Sequence, residues 1–306
     1  MALDDTLAGI LLLTDANNDP IDVTDLLEAA PLLKVLPAKK SSHGTSHKYM
    51  KETTAPGVGF RAVDTGITNS AGEETQVTVT LAFLDATVRR DIAKAKAFGD
   101  MSKYMMHQAE KSLKTAFAHV EQQIIDGTGN EADGFSGLAN ATAVDDVGDA
   151  MVIDAGGAAG NRNVYLIRAG LDDVCLLYAD ENVQMSDVYR VESNSGAYTK
   201  LVVDIDAYLG LQIGSIYSVA RIYNLDGTAG NTLDDDLISQ ALALAPVGRP
   251  FTHIIMDRTS LKELQQSRTA TNVTGAPAPF PTEAFGVPIV VTDNIDLTNT
   301  VATTTT

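Results

Sequence analysis

Residues 126–140 read DGTGNEADGFSGLAN, with four glycines set among Asp126, Glu131 and Asp133 directly after a long helical pattern. Such a stretch could be a calcium loop, a phosphate cradle or a connector. An EF-hand needs oxygen ligands at loop positions 1, 3 and 5, glycine at 6 and a bidentate glutamate at 12. Here Glu131 takes position 6 and Gly137 position 12. DANNDPIDVTDL comes closer with Asp15, Asn17 and Asp19, yet Pro20 stands where glycine is required and Leu26 where the glutamate belongs. Zinc is no better served. The five histidines, His43, His47, His107, His119 and His253, form neither an HExxH motif nor a helical pair at i, i+4. DAGGAAGN (154–161) lacks the GxGxxG spacing, and NVYLIR after it has the pattern of a strand. A pyrophosphate would find no helix N-terminus there. There is no GxxxxGK[ST] and no GxSxG. The expectation is no catalytic residue, no cofactor, no metal, and hence no enzyme. The opening stretch is then a connector: Asp126 ends the helix, Gly127 is the residue after it, and Phe135 and Leu138 are apolar anchors.

The elements around it come from periodicity. The chain has 306 residues, 44% of them hydrophobic, enough to bury a core. Net charge is −18, which argues against a dedicated nucleic-acid reader. Cys175, the lone cysteine, sits in the apolar run DVCLLYA and has the surroundings of core filling. No signal peptide is visible, and no apolar run approaches the roughly 18 residues of a membrane span. Charge is uneven: Lys34 to Lys51 holds five lysines and no acid, whereas Asp126 to the end holds nine basic residues against twenty-four acidic ones. Arg89 to Lys114 carries seven basic residues.

Residues 1–44 form a weakly periodic arm, with a short helix near DVTDLLEAAPLLKVL capped by Asp22 or Thr24, and extended chain imposed by Pro31 and Pro37. Residues 45–86 predict a long hairpin. Its upward half is GVGFRAVDTGI, its turn TNSAGEE, and its return TQVTVTLAFLDA, where Val77, Val79 and Leu81 alternate with polar residues. Residues 89–126 predict one long helix with Phe98, Met101, Met105, Ala109, Leu113, Phe117, Val120 and Ile124 on one face. Its length would be roughly 50–57 Å at ~1.5 Å per residue. Strands follow at NVYLIRAG, DVCLLYA, TKLVVDIDAYLGLQIG and YSVARIYNL. Then come a helix at DDDLISQALALA, a strand at FTHIIMD, a helix at RTSLKELQQSR, a strand at VPIVVTDNI and a disordered tail.

The order of these pieces, with PGVGFRAVDTGITNS, IIDGTGNEADGFSGLA, NVYLIRAGLDDV, YLGLQIGSIYSVARIYNL and FGVPIVVTDNI, closely resembles the major capsid proteins of tailed bacteriophages. The resemblance runs from about Asp25 to Ile295. It implies an α+β Johnson-type fold with an N-arm (1–44), an E-loop hairpin (45–86), a P-domain with its spine helix (87–149, completed by 226–306) and an A-domain (150–225). It further implies a chain that self-assembles as pentamers and hexamers into an icosahedral head shell around double-stranded DNA. Such a shell is built in the host bacterial cytoplasm, with scaffolding, portal and cement proteins as further partners and no membrane. An encapsulin-like compartment is the alternative within the fold, and an acidic surface or adhesion protein the alternative outside it. On this resemblance Phe60, Arg61, Ile67, Val77, Val79 and Leu81 are expected at the subunit interface. Lys34, Lys39, Lys40, Lys48, Lys51, Arg89 and Arg90 are expected on the inner, basic face.

Overall fold

The structure is a computed structural model that describes residues 27–54, 57–63, 66, 71–98, 101–142, 151–157, 162–179, 184–192, 199–228, 230–270, 272 and 276–295. The candidate caps Asp22 and Thr24, the interface candidate Ile67 and the tail beyond residue 295 lie outside those residues.

A 3-10 turn at Pro31–Lys34 precedes β1 (Ala38–Lys40), β2 (Ser46–Thr54), β3 (Glu73–Thr80), β4 (Ala82–Asp85) and β5 (Val88–Asp91). Helices α1 (Ile92–Phe98), α2 (Met101–Asp126) and α3 (Leu138–Ala141) come next. Strands β6 (Val152–Asp154), β7 (Arg162–Ile167), β8 (Val174–Tyr178), β9 (Gln184–Met185) and β10 (Tyr189–Glu192) follow. So do β11 (Thr199–Val203), β12 (Ile205–Ile213) and β13 (Val219–Leu225). The chain then passes through α4 (Asp235–Ala243), β14 (His253–Met256), α5 (Arg258–Ala270), β15 (Glu283–Ala284) and β16 (Val287–Val291).

One sheet has the order β1-β8-β12-β4 with β9 on β12, and a second has β10-β11-β5. A third, six-stranded sheet runs β15-β16-β14-β7-β13-β6, and among the described residues β2 and β3 form a two-stranded ribbon. Sheet membership therefore does not follow the expected division at residue 225. Strands β14 and β16 bond into the sheet of β7 and β13, while β8 and β12 join strands from the N-terminal half. Mixed pairing makes this possible: β14 lies parallel to β16 and antiparallel to β7.

Three apolar clusters hold these layers. The largest gathers Leu32, Leu33 and Leu36 of the N-terminal segment, the inner stripe of α2, and Leu209 and Leu211 of β12. A second fills the space between the six-stranded sheet and helices α4 and α5. A small third cluster holds Leu81, Cys175, Leu177 and Ala179, with Val79 against it. Burial pushes the Cys175 thiol up to about 12, in keeping with a core residue.

The long helix is shorter than the periodicity suggests. Val88 to Asp91 pair with Val203 to Lys200 as a strand. The Asp91 carboxylate then accepts a hydrogen bond from the Ala93 N–H at 2.9 Å and starts α1. Gly99 and Asp100 lie outside the described residues, and α2 alone spans 26 residues, about 39 Å. Its inner stripe, Met105, Ala109, Leu113, Phe117, Val120 and Ile124, is the expected one.

The hairpin also differs. Its upward strand is Ser46–Thr54, not GVGFRAVDTGI, and it runs from Ser46 opposite Thr80 to Thr54 opposite Glu73. The β-branched return strand found its partner in a polar segment whose alternation, Lys48-Tyr49-Met50-Lys51, is weak in hydrophobicity. The return itself divides at Leu81, because β4 leaves the hairpin to pair with β12. Pro31 opens a 3-10 turn instead of extended chain, as a first-turn proline can. Pro37 does lead into a strand.

Candidate functional site

The 126–140 stretch is a cross-braced joint. Helix α2 ends at Asp126 and Gly127 adopts φ +58°, the left-handed conformation of a helix-terminating residue. A Cβ there would lie 1.9 Å from Asn140 Oδ1. That oxygen accepts the N–H groups of Thr128 and Gly137, both at 3.0 Å. Gln123 Nε2 donates to the Phe135 carbonyl at 2.7 Å, and Asn130 donates to Gln123 Oε1 at 2.9 Å. Phe135 and Leu138 are buried, as expected. His119 and Glu131 close the outer side at 2.8 Å. The polar atoms are thus engaged in bracing the loop. Among the described residues no group of three His, Cys, Asp or Glu side chains is placed to hold a metal ion. No helix among them is long and apolar enough to cross a membrane.

A second joint lies one turn earlier on α2. Glu121 is fully buried. One carboxylate oxygen accepts the Leu32 N–H at 2.9 Å, and the other accepts the Thr292 hydroxyl and, at 3.3 Å, the Asn294 amide. Asn294 also donates to the Ala29 carbonyl at 2.8 Å. One side chain therefore ties the N-terminal segment and the C-terminal segment to the long helix. Desolvation raises its pKa, against the lowering effect of these hydrogen bonds. The sequence carries one faint sign of it, a carboxylate on the apolar face between Phe117, Val120 and Ile124.

The expected interface residues fall into two groups. Phe60 is fully exposed and Arg61 exposed, with Val58 and Val63 beside them almost as bare. Leu81, by contrast, is a core residue of its own subunit, 5% exposed, and Val77 and Val79 are half covered. The cause is local: the foot of the hairpin lies on the β8–β12 sheet, where Gly210 leaves room for Leu81 and Val79. The Tyr49 hydroxyl donates to the Ile213 carbonyl at 2.9 Å on the same side. Between hairpin and joint runs a cleft of about 480 Å³ lined by Lys51, Val77, Val79, Ser136 and Asn140.

The expected basic residues sit on several elements. Successive strand side chains point to opposite sides. Arg89 and Arg90 therefore diverge, as do Lys48 and Lys51, although Arg89, Arg90 and Lys48 are all exposed. Lys34 and Lys40 are exposed, while Lys39 is half-buried, 3.3 Å from the Leu171 carbonyl and 3.6 Å from Asp172 Oδ1. Arg90 Nε reaches Gln108 of α2 at 3.1 Å. A basic stripe not foreseen residue by residue runs there. Lys103, His107 and Lys111 recur every four residues on the exposed side of α2, opposite its buried stripe. The i, i+4 spacing was its signal.

This architecture is shared with phage capsid subunits. A chain in the structure of bacteriophage Epsilon15 aligns with a TM-score of 0.64 and 16% identity, covering 97% of this chain and 96% of that one. The capsid chain of bacteriophage JBD30 aligns with a TM-score of 0.54 and 12% identity, covering 93% and 97%. At these identities the likeness establishes the fold, the Johnson type. The chain belongs to the major capsid protein GP7 family, whose sequence model matches residues 15–300. No curated protein sequence matches it significantly. Its family makes it a major capsid protein and implies a structural, non-enzymatic role.

Proposed function

We propose that this chain forms the pentamers and hexamers of an icosahedral head around packaged double-stranded DNA, and that the 57–63 loop locks each copy onto a neighbour. The observation that carries this reading is the loop itself. Val58, Phe60 and Val63 are 87–110% exposed, on the end of a hairpin whose foot is already covered by its own subunit. Isolated exposed apolar residues are ordinary, but three on one short projecting loop mark a surface meant for a partner. In a protein that assembles with itself, that partner is another copy. The expected N-arm (1–44), E-loop (45–86), P-domain (87–149 with 226–306) and A-domain (150–225) are retained as functional names, with the crossing of strands noted above. The exposed Lys103 and Lys111 of α2, with Arg90, are assigned to the DNA side. There they would moderate repulsion between DNA and a protein of net charge −18. Assembly in the host cytoplasm with scaffolding, portal and cement proteins completes the proposal.

Replacing Val58, Phe60 and Val63 together with serine tests it. The variant should remain a folded subunit by circular dichroism and thermal melting, and should yield no stable particles in negative-stain microscopy. Particles of normal yield and stability would overturn the role of the loop. Wild-type particles filled with protein cargo instead of DNA would favour the compartment reading.

A further inference from the structure

We infer that the six-stranded sheet binds a small anion of the chloride type in the interior, between Arg221 of β13 and Asn163 of β7. Arg221 is 2% exposed and Asn163 is fully buried. A guanidinium keeps its proton inside a protein, and a charge taken out of water needs a counter-charge. The neighbouring arginines have theirs. Arg162, at the start of β7, is paired with Glu263 of α5, and Arg168, just after β7, has its Nε 3.1 Å from Asp173 Oδ2. Arg221 meets no carboxylate among the described residues. Its Nε donates to Asn163 Oδ1 at 3.2 Å, and its guanidinium carbon lies 5.5 Å from the centre of the ring of Tyr165, the residue opposite it on β7. The ring face offsets part of the charge, without neutralising it.

The unmet groups of the pair are both donors. Arg221 Nη2 and Asn163 Nδ2 are buried and make no hydrogen bond within the chain. Turning the amide does not help. Arg221 Nε can only donate, so the atom facing it is Oδ1, and Nδ2 is the group left over. In an arginine the Nε and Nη2 hydrogens lie along one edge, the edge that takes a carboxylate with two parallel bonds. The amide oxygen fills one place on that edge. An acceptor in the other place, beside the amide, meets both remaining donors. A water there would accept the bonds and leave the charge, whereas a halide answers both. The residues flanking the pair, Val164, Tyr165, Ala220 and Ile222, are fully buried. The occupant is therefore a small ion, not a phosphate or a carboxylate carried by another chain.

The chloride dependence of unfolding tests this. The full-length subunit is melted while chloride replaces gluconate at constant ionic strength, as wild type and as Asn163→Asp. The substitution puts a second oxygen where the unmet amide nitrogen stands, and so supplies acceptor and charge from within the chain. Wild type should gain roughly 2–5 °C for each tenfold rise in chloride once the site is filling. Asn163→Asp should melt higher than wild type in gluconate and show no such gain. A wild type indifferent to chloride overturns the inference and leaves the two donors to a water. An equal gain in both proteins also overturns it, since that is a general salt effect. Should Asn163→Asp fail to fold, crystals of the wild-type subunit grown in bromide decide. An anomalous peak within hydrogen-bond distance of Arg221 Nη2 and Asn163 Nδ2 upholds the site, and a map without one there overturns it.

Discussion

Glu121 shows how a single residue can hold distant parts of a chain. It receives hydrogen bonds from residues 32, 292 and 294 while fully buried. Glu121→Ala would strand those donors away from water, at a cost of about 1–3 kcal/mol for the group left unsatisfied. Thermal or urea unfolding of the unassembled subunit would measure it. Glu121→Gln keeps the size and an acceptor but removes the charge. Because the folded-state pKa is raised, chiefly by desolvation, the native state holds the proton more tightly than the unfolded chain does. The stabilising contribution is therefore complete below the ordinary value of 4.5 and is lost as pH rises through the raised value. Wild type should accordingly lose stability relative to Glu121→Gln as pH climbs above that range. Parallel pH series of melting temperatures would show it, and parallel curves would exclude it. Cys175 provides a second check: with its thiol pushed up to about 12, folded protein should resist alkylation at neutral pH and react on unfolding.

Among the elements, the joint after α2 is the most exacting. Gly127→Ala forces a side chain into the left-handed region, at about 1–2 kcal/mol. It also drives a Cβ into Asn140, which would have to give up its bonds to Thr128 and Gly137. A fall in subunit melting temperature beyond that of a surface Gly→Ala control at Gly248, where a Cβ meets nothing, is expected. This joint was legible in the sequence because glycine after a helical stripe has one local meaning. Strands at NVYLIR and VCLLY were legible for a similar reason, since an unbroken apolar run leaves little choice. The start of the long helix was not legible. Val88 to Asp91 became a strand through pairing with residues more than a hundred positions away, which no local pattern records. GVGFRAV misled because its alternation suits a strand, whereas the return strand paired with the more polar Ser46–Thr54.

At the scale of the whole molecule, this shell should hold together without covalent welds. A lysine-to-asparagine isopeptide bond across subunits needs a lysine out on the loop, and Glu52 to Val88 contains none. Lys48 and Lys51 belong to β2, within the paired part of the hairpin. Particles boiled in denaturant with reductant should run as one band near 32.3 kDa, and a surviving ladder would point to one of those two lysines as donor. Sheet order has another consequence, in time instead of space. Strand β1 finds its neighbour in β8, β4 in β12, and β5 in β11, so the first ninety residues cannot finish the sheet of β5 before residue 203, or that of β1 and β4 before residue 213, has been made. The six-stranded sheet waits longer still, until β16 at Val291. Long-range pairing of this kind is slow to form and leaves strand edges open meanwhile. A ribosome making this protein therefore carries a nearly complete, unfinished chain, at the moment when many identical chains are being made around it. A chain halted after β11 should be insoluble or rapidly degraded, whereas the full-length subunit persists.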